Sequence, residues 1–119
     1  MQKFNSVDEL VNNTQPVDPI YCIRPDSIKI ACSWFKNKFP GKILFAVKTN
    51  PNEKVIKCIA ESGITRFDVA SINEIKLIKK VIPSAHAYYM NTVKNREHIK
   101  TAFFDYGIRD FALDTKEEL

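Results

Sequence analysis

At 119 residues the chain is long enough for one small domain or for part of a larger one. Its 45% hydrophobic content permits a core, yet no run of about 18 apolar residues is present to form a membrane-spanning helix. The net charge of +4 comes from scattered lysines, and the aromatics sit inside apolar runs rather than among them, which argues against a nucleic-acid surface.

The first residues, Met1-Gln2-Lys3-Phe4-Asn5-Ser6-Val7-Asp8, lack the apolar segment of a secretory leader, so a cytoplasmic protein is expected. Cys22, Cys32 and Cys58 are widely spaced and show no CxxC or Cys/His ligand pattern. Reduced, mostly buried thiols are the expectation. His86 and His98 have no matching ligand set, so no zinc site is expected.

Residues 1–18 are polar, with a short helix predicted over 7–11. Pro16 and Pro19 bracket the approach to a short predicted strand at 20–23. Pro25-Asp26-Ser27 reads as a helix start. Ile28, Cys32, Phe35 and Phe39 follow at helical spacing and define one apolar face, which Pro40-Gly41 ends. Strand runs come next at 43–47, 67–70, 87–90 and 111–113. Their starts lie roughly 22 residues apart, room for a strand, a loop and a three-turn helix. Between them, Val55, Ile56, Ile59 and Ala60 form one helical stripe, Ile72, Ile75 and Ile78 a second, and Ile99, Ala102 and Phe103 a third. Gly63 and Gly107 suit left-handed helix ends.

Strands alternating with helices imply an α/β fold with a parallel sheet. The strand runs are almost continuously apolar, as when both sheet faces are covered. Right-handed crossovers then allow an open doubly wound sheet or a closing barrel, and periodicity does not choose between them. In both, chemistry sits at the strand C-terminal ends. The polar residues fall there: Lys48-Thr49-Asn50, Ser71, Asn91 and Asp114-Thr115. Neither GxGxxG nor GxxxxGK[ST] occurs, so no phosphate-cradling loop is expected.

Lys48 closes the apolar run Ile43-Leu44-Phe45-Ala46-Val47. A cation at a buried strand's exit pairs with a carboxylate, points into a cleft, or is neutralised by covalent chemistry, as in the cofactor lysine of a pyridoxal-phosphate enzyme. Asp68, inside a strand run, needs a partner: Lys48 on the neighbouring strand, Arg66, or a backbone donor. Ser71-Ile72-Asn73-Glu74 is a capping box, as is Thr115-Lys116-Glu117-Glu118.

Phe45-Ala46-Val47-Lys48-Thr49-Asn50-Pro51 resembles the cofactor-lysine motif of the fold-type III pyridoxal-phosphate-dependent decarboxylases, the group of ornithine, lysine, diaminopimelate and carboxynorspermidine decarboxylases. Arg66-Phe67-Asp68-Val69-Ala70-Ser71-Ile72-Asn73-Glu74-Ile75 is similar to the second barrel strand and the helix start after it. Tyr89-Met90-Asn91-Thr92-Val93-Lys94 resembles the third strand exit, with Thr92 where a proline is common. Phe111-Ala112-Leu113-Asp114-Thr115 resembles the fourth strand, and Pro19-Ile20-Tyr21 the segment before the first barrel helix. The motifs keep the family's order and spacing over residues 18–119.

The resemblance implies the N-terminal half of an alanine-racemase-like (β/α)8 barrel, about four parallel strands, with residues 1–18 as a lead-in and 19–119 as the partial barrel domain. It implies pyridoxal 5'-phosphate as cofactor, Lys48 as the Schiff-base lysine, and Ala46, Asp68 and Glu74 as its neighbours. Glu74 is open to a site role and to a purely capping one. The implied chemistry is α-decarboxylation of a basic amino acid, leaning towards ornithine or lysine. The family's glycine-rich phosphate turn, the acidic partner of the pyridinium nitrogen, the stacking histidine and the late cysteine segment have no counterpart in the sequence. An inactive truncated homologue is therefore expected. The alternatives are one half of a split enzyme completed by a C-terminal chain, and a non-catalytic module that pairs with an intact decarboxylase; a homodimer is a further possible assembly.

Overall fold

A computed structural model of the chain describes residues 2–118, with side chains through residue 117. Helix α1 (Val7–Thr14) is capped by Ser6, whose Oγ accepts from the Glu9 N–H at 3.0 Å. It buries none of its residues and leaves Val7 and Val11 exposed. The strand expected at 20–23 does not form: the segment is irregular and mostly exposed. It lies beside no ladder, and an extended segment without a partner strand has no means of satisfying its backbone.

Helix α2 (Pro25–Lys38) starts with proline in its first turn, where the missing N–H costs nothing. Cys32 is its one buried residue and Ile28 is half-buried, but Phe35 and Phe39 remain about half exposed, so the expected apolar face is only partly covered. Strand β1 (Phe45–Ala46) is shorter than the run at 43–47 suggests. After Ala46 the chain winds into a 3₁₀ turn (Val47–Thr49), with the Asn50 N–H donating to the Val47 carbonyl at 3.1 Å and Thr49 Oγ1 to the Ala46 carbonyl at 2.7 Å.

From there the βα rhythm holds. Helix α3 (Glu53–Glu61) is capped by Asn52 and buries Val55, Ile56, Cys58 and Ile59. It stops at Gly63, whose φ of +89° suits glycine, and a Cβ there would lie 2.6 Å from Lys36 Nζ. Strand β2 (Arg66–Val69), helix α4 (Ile72–Val81), strand β3 (His86–Tyr89), helix α5 (Arg96–Phe104) and strand β4 (Asp110–Phe111) follow. A final 3₁₀ turn spans Lys116–Glu118. The second capping box falls here, and the side chain of Glu118, its fourth member, lies outside the described residues. The fourth strand forms two residues, not three, although the Ala112 N–H still reaches the Tyr89 carbonyl at 3.0 Å.

The four strands are all parallel and ordered β1-β2-β3-β4. The register puts Phe45, Phe67 and Ala87 in one row and Val69, Tyr89 and Phe111 in another. Burial alternates along β2 and β3: Phe67, Val69, Ala87 and Tyr89 are buried, while Asp68 and Tyr88 are half-buried. The helices therefore cover one face. Sequential strand order with every crossover on the same side is a barrel arc, not a doubly wound sheet. The expectation of two covered faces is corrected: their apolar runs meet helices on one side only. The radius of gyration is 17.4 Å, against about 13.5 Å for a compact domain of this length.

Phe67 is fully buried at the centre of the core, among Ile56, Ile75 and Val69. Phe67→Ala should cost about 3–5 kcal/mol of stability by cavity formation, whereas Trp34→Ala, on the exposed side of α2, should stay within about 0.5 kcal/mol. Urea denaturation of both checks this, and equal losses would contradict the assigned core.

Candidate functional site

The strand exits gather the polar side chains. Lys48 stands in the 3₁₀ turn directly after β1 and is exposed. Among the described residues its ammonium makes no hydrogen bond and no ion pair. The turn is held from the N-terminal segment, because Asn50 Nδ2 donates to the Tyr21 hydroxyl at 2.6 Å. Asn50 Oδ1 in turn accepts from the Asn52 N–H at 3.3 Å, joining the turn to the start of α3.

Ala46 lies opposite Asp68, and Asp68 opposite Tyr88, on the face that no helix covers. The expected Lys48–Asp68 ion pair is absent, and so is the Arg66–Asp68 alternative. The register explains this. Lys48 lies two residues beyond the row of Asp68, after the chain has left the strand for the 3₁₀ turn. Asp68 is also only half-buried, so it stays within reach of solvent and burial does not demand a protein partner.

Glu74 acts at the turn between β2 and α4. Its Oε2 accepts from the Ala70 N–H at 2.8 Å, while Ser71 Oγ accepts from the Glu74 N–H at 3.2 Å. The reciprocal bond thus runs one residue earlier than the capping box predicts, to Ala70 rather than to Ser71. Glu74 has a second effect. Burial, and then the negative charge of Glu74, push the Tyr89 phenol above the ordinary tyrosine range. Periodicity marks Tyr89 as core, and the structure adds its electrostatic link to Glu74.

The loop after β3 is also tied down. Asn91 Nδ2 donates to the Val93 carbonyl at 2.6 Å, and Lys94 Nζ donates to the carbonyls of Asn91, Thr92 and Ala112. The foot of the sheet has a different character. There His86 Nε2 and Asp110 Oδ2 are 2.6 Å apart, and Lys36, Lys42 and Arg66 line a depression of about 300 Å³. An apolar cavity of about 400 Å³ lies between α2, β1 and α3, with Thr49 and Asn50 among its lining. Cys32 lines it as well, its thiol pushed up chiefly by burial. Of the three cysteines, Cys32 and Cys58 are buried and Cys22 is exposed. Among the described residues no group of His, Cys, Asp and Glu could hold a metal ion.

The profile of the pyridoxal-dependent decarboxylase family, pyridoxal binding domain, matches residues 25–119. The chain belongs to this family. Solved decarboxylases share its fold. Paramecium bursaria Chlorella virus arginine decarboxylase aligns with 94% of this chain and 30% of its own at 23% identity and a TM-score of 0.84. Selenomonas ruminantium lysine decarboxylase aligns with 99% of this chain and 32% of its own at 24% identity and a TM-score of 0.80. Entamoeba histolytica ornithine decarboxylase aligns with 79% of this chain and 28% of its own at 30% identity and a TM-score of 0.70. The chain thus spans about a third of the length of these structures, corresponding to the N-terminal part of the decarboxylase barrel. No curated protein sequence matches it.

The family's cofactor is pyridoxal phosphate, and the residues present fit one end of it. Lys48 offers an uncommitted amine, and Ala46 keeps the neighbouring position small. Among the described residues the phosphate end has no such seat. Gly41, Gly63 and Gly107 all lie in connections that lead into strands, at the foot, rather than at the rim of Lys48.

The fold favours the protonated form of Tyr89, so the unfolded chain releases this proton first as pH rises past about 10. Stability should therefore fall from about pH 10 upward in wild type and fall less in Tyr89→Phe, with Glu74→Gln in between. Urea midpoints at pH 9 and 11 measure this, and identical pH dependence in wild type and Tyr89→Phe would contradict it.

Proposed function

We propose that the chain carries the cofactor-lysine portion of a pyridoxal-phosphate-dependent decarboxylase site for a basic amino acid of the ornithine or lysine type, and that it does not turn substrate over alone. The observation that carries this reading is Lys48, unpaired at a strand exit within a family match over residues 25–119. Pyridoxal phosphate, when bound, supplies the electron sink for the charge left as the α-carboxylate departs. Lys48 would hold it through its side-chain amine. Ala46 would leave room beside that amine, Asp68 would offer a carboxylate to cationic groups on the same face, and Glu74 fixes the β2–α4 turn alongside. Two features support inactivity of the chain alone. Lys48 is open to water, which screens every charge near it, and the rim provides no phosphate seat.

A second reading has a specific observation behind it. Among the described residues, strands β1 and β4 each have one unpaired edge, and the row of Ala46, Asp68, Tyr88 and Asp110 is uncovered. Such surfaces suit completion by a complementary chain, by a second copy, or by an intact decarboxylase that this chain accompanies as a module. No helix among the described residues is long and apolar enough to cross a membrane. A cytoplasmic setting remains part of the proposal.

Borohydride reduction of the pyridoxal-phosphate-treated chain, followed by peptide mapping, tests the site. Labelling concentrated on Lys48 and lost in Lys48→Ala is expected; diffuse labelling unchanged in that variant contradicts it. Carbon dioxide release from ornithine or lysine should be undetectable. Turnover that Lys48→Ala abolishes would overturn the claim of inactivity.

A further inference from the structure

Lys94 is half-buried, and its ammonium donates to three backbone carbonyls: Asn91 at 2.8 Å, Thr92 at 2.8 Å and Ala112 at 2.6 Å. An ammonium has three N–H donors, and all three of these carbonyls lie within hydrogen-bond distance of it. Two of the carbonyls belong to the loop leaving β3, and the third follows β4. In the ladder those two strands pair through Tyr88 with Asp110 and Tyr89 with Phe111, and at the foot His86 Nε2 meets Asp110 Oδ2. The backbone of Ala112 is thereby held on both sides, its N–H by the Tyr89 carbonyl and its C=O by Lys94. The side chain of Asn91 closes the same loop onto Val93. Three carbonyl oxygens converging on one point repel one another unless a cation stands between them.

We propose that Lys94 is a positioning residue: the built-in cation of a three-carbonyl seat that locks the exits of the third and fourth strands together. The seat holds a primary ammonium group, supplied here by the chain itself. In this chain Thr92 stands at a loop position where proline would limit the backbone, and the seat restrains the loop by electrostatics instead. The functional consequence, a fixed rim beside Lys48, rests on the reading of that rim as the cofactor site. The seat itself does not.

Removing the ammonium should leave an empty seat that a free alkylammonium can fill. Lys94→Ala is expected to speed hydrogen exchange at the amides of Ala112 and of residues 91–94 by roughly tenfold or more, given the strength of hydrogen bonds to charged groups. Propylammonium, which matches the deleted stem and head, should restore several-fold of that protection. Tetramethylammonium at equal ionic strength has no N–H and should restore none. Unchanged exchange in Lys94→Ala, or equal effects of the two cations, would overturn the proposal. Should Lys94→Ala fail to fold, competitive acetylation of the wild-type chain decides. Lys94 should react at least several-fold more slowly than Lys48, and equal rates would overturn the seat. None of these readouts uses pyridoxal phosphate or turnover, so failure of the seat and failure of the cofactor reading are separate results.

Discussion

Helices α3, α4 and α5 pack side by side against one face of a four-stranded parallel sheet, and among the described residues the opposite face has no cover. This asymmetry governs the rest of the molecule. On the covered side, Phe67, Val69, Ala87 and Tyr89 meet Ile56, Ile75 and Ile78 in a single core. On the other side, Asp68 and Tyr88 stay half-exposed, so the sheet carries polar groups there without burying any unpaired charge. The same asymmetry leaves Lys48 accessible and free of a carboxylate.

The two ends of the sheet are built by different devices. At the foot, glycines and lysines end the helices: Gly63 takes a left-handed conformation while Lys36 donates to the neighbouring Ser62 carbonyl, and Lys79 donates to the Ala85 carbonyl just ahead of β3. At the exits, side chains rather than glycines shape the loops. Tyr21 holds Asn50, Glu74 holds the Ala70 amide, and Lys94 gathers three carbonyls. Such bonds fix the rim loops without the close backbone approach that glycine permits. That difference is why the rim can place an amine and two carboxylates yet offers no cradle of N–H groups for a phosphate.

Much of this is legible in the residues. The order of strands and helices, the glycine helix ends and the Ser71 cap follow from periodicity and from local turn chemistry, which act over a few positions. Lys48 stands out because a cation at the end of an apolar run is rare without a task. What escapes the sequence depends on what lies across space. The apolar runs of β2 and β3 do not disclose that only one sheet face is covered. The 20–23 segment reads as a strand but has no ladder to join. Phe35 and Phe39 keep helical spacing while half of each stays in solvent. Asp68 looks as though it needs Lys48, because the two-residue offset between them is set by the register of β1 on β2. The Lys94 seat draws on Ala112, 18 residues away, and no local pattern marks such a contact.

Because one covered face and two open edges determine where everything else sits, amide hydrogen exchange across the four strands is the most direct test. The amides of Phe67, Val69, Ala87 and Tyr89, in the two inner strands, should be the slowest in the chain. Those of Phe45 and Ala46, on the open edge of β1, should exchange markedly faster. Uniform protection across all four strands, or an edge strand β1 as slow as β2, would contradict a sheet that is open at its edges and covered on one side.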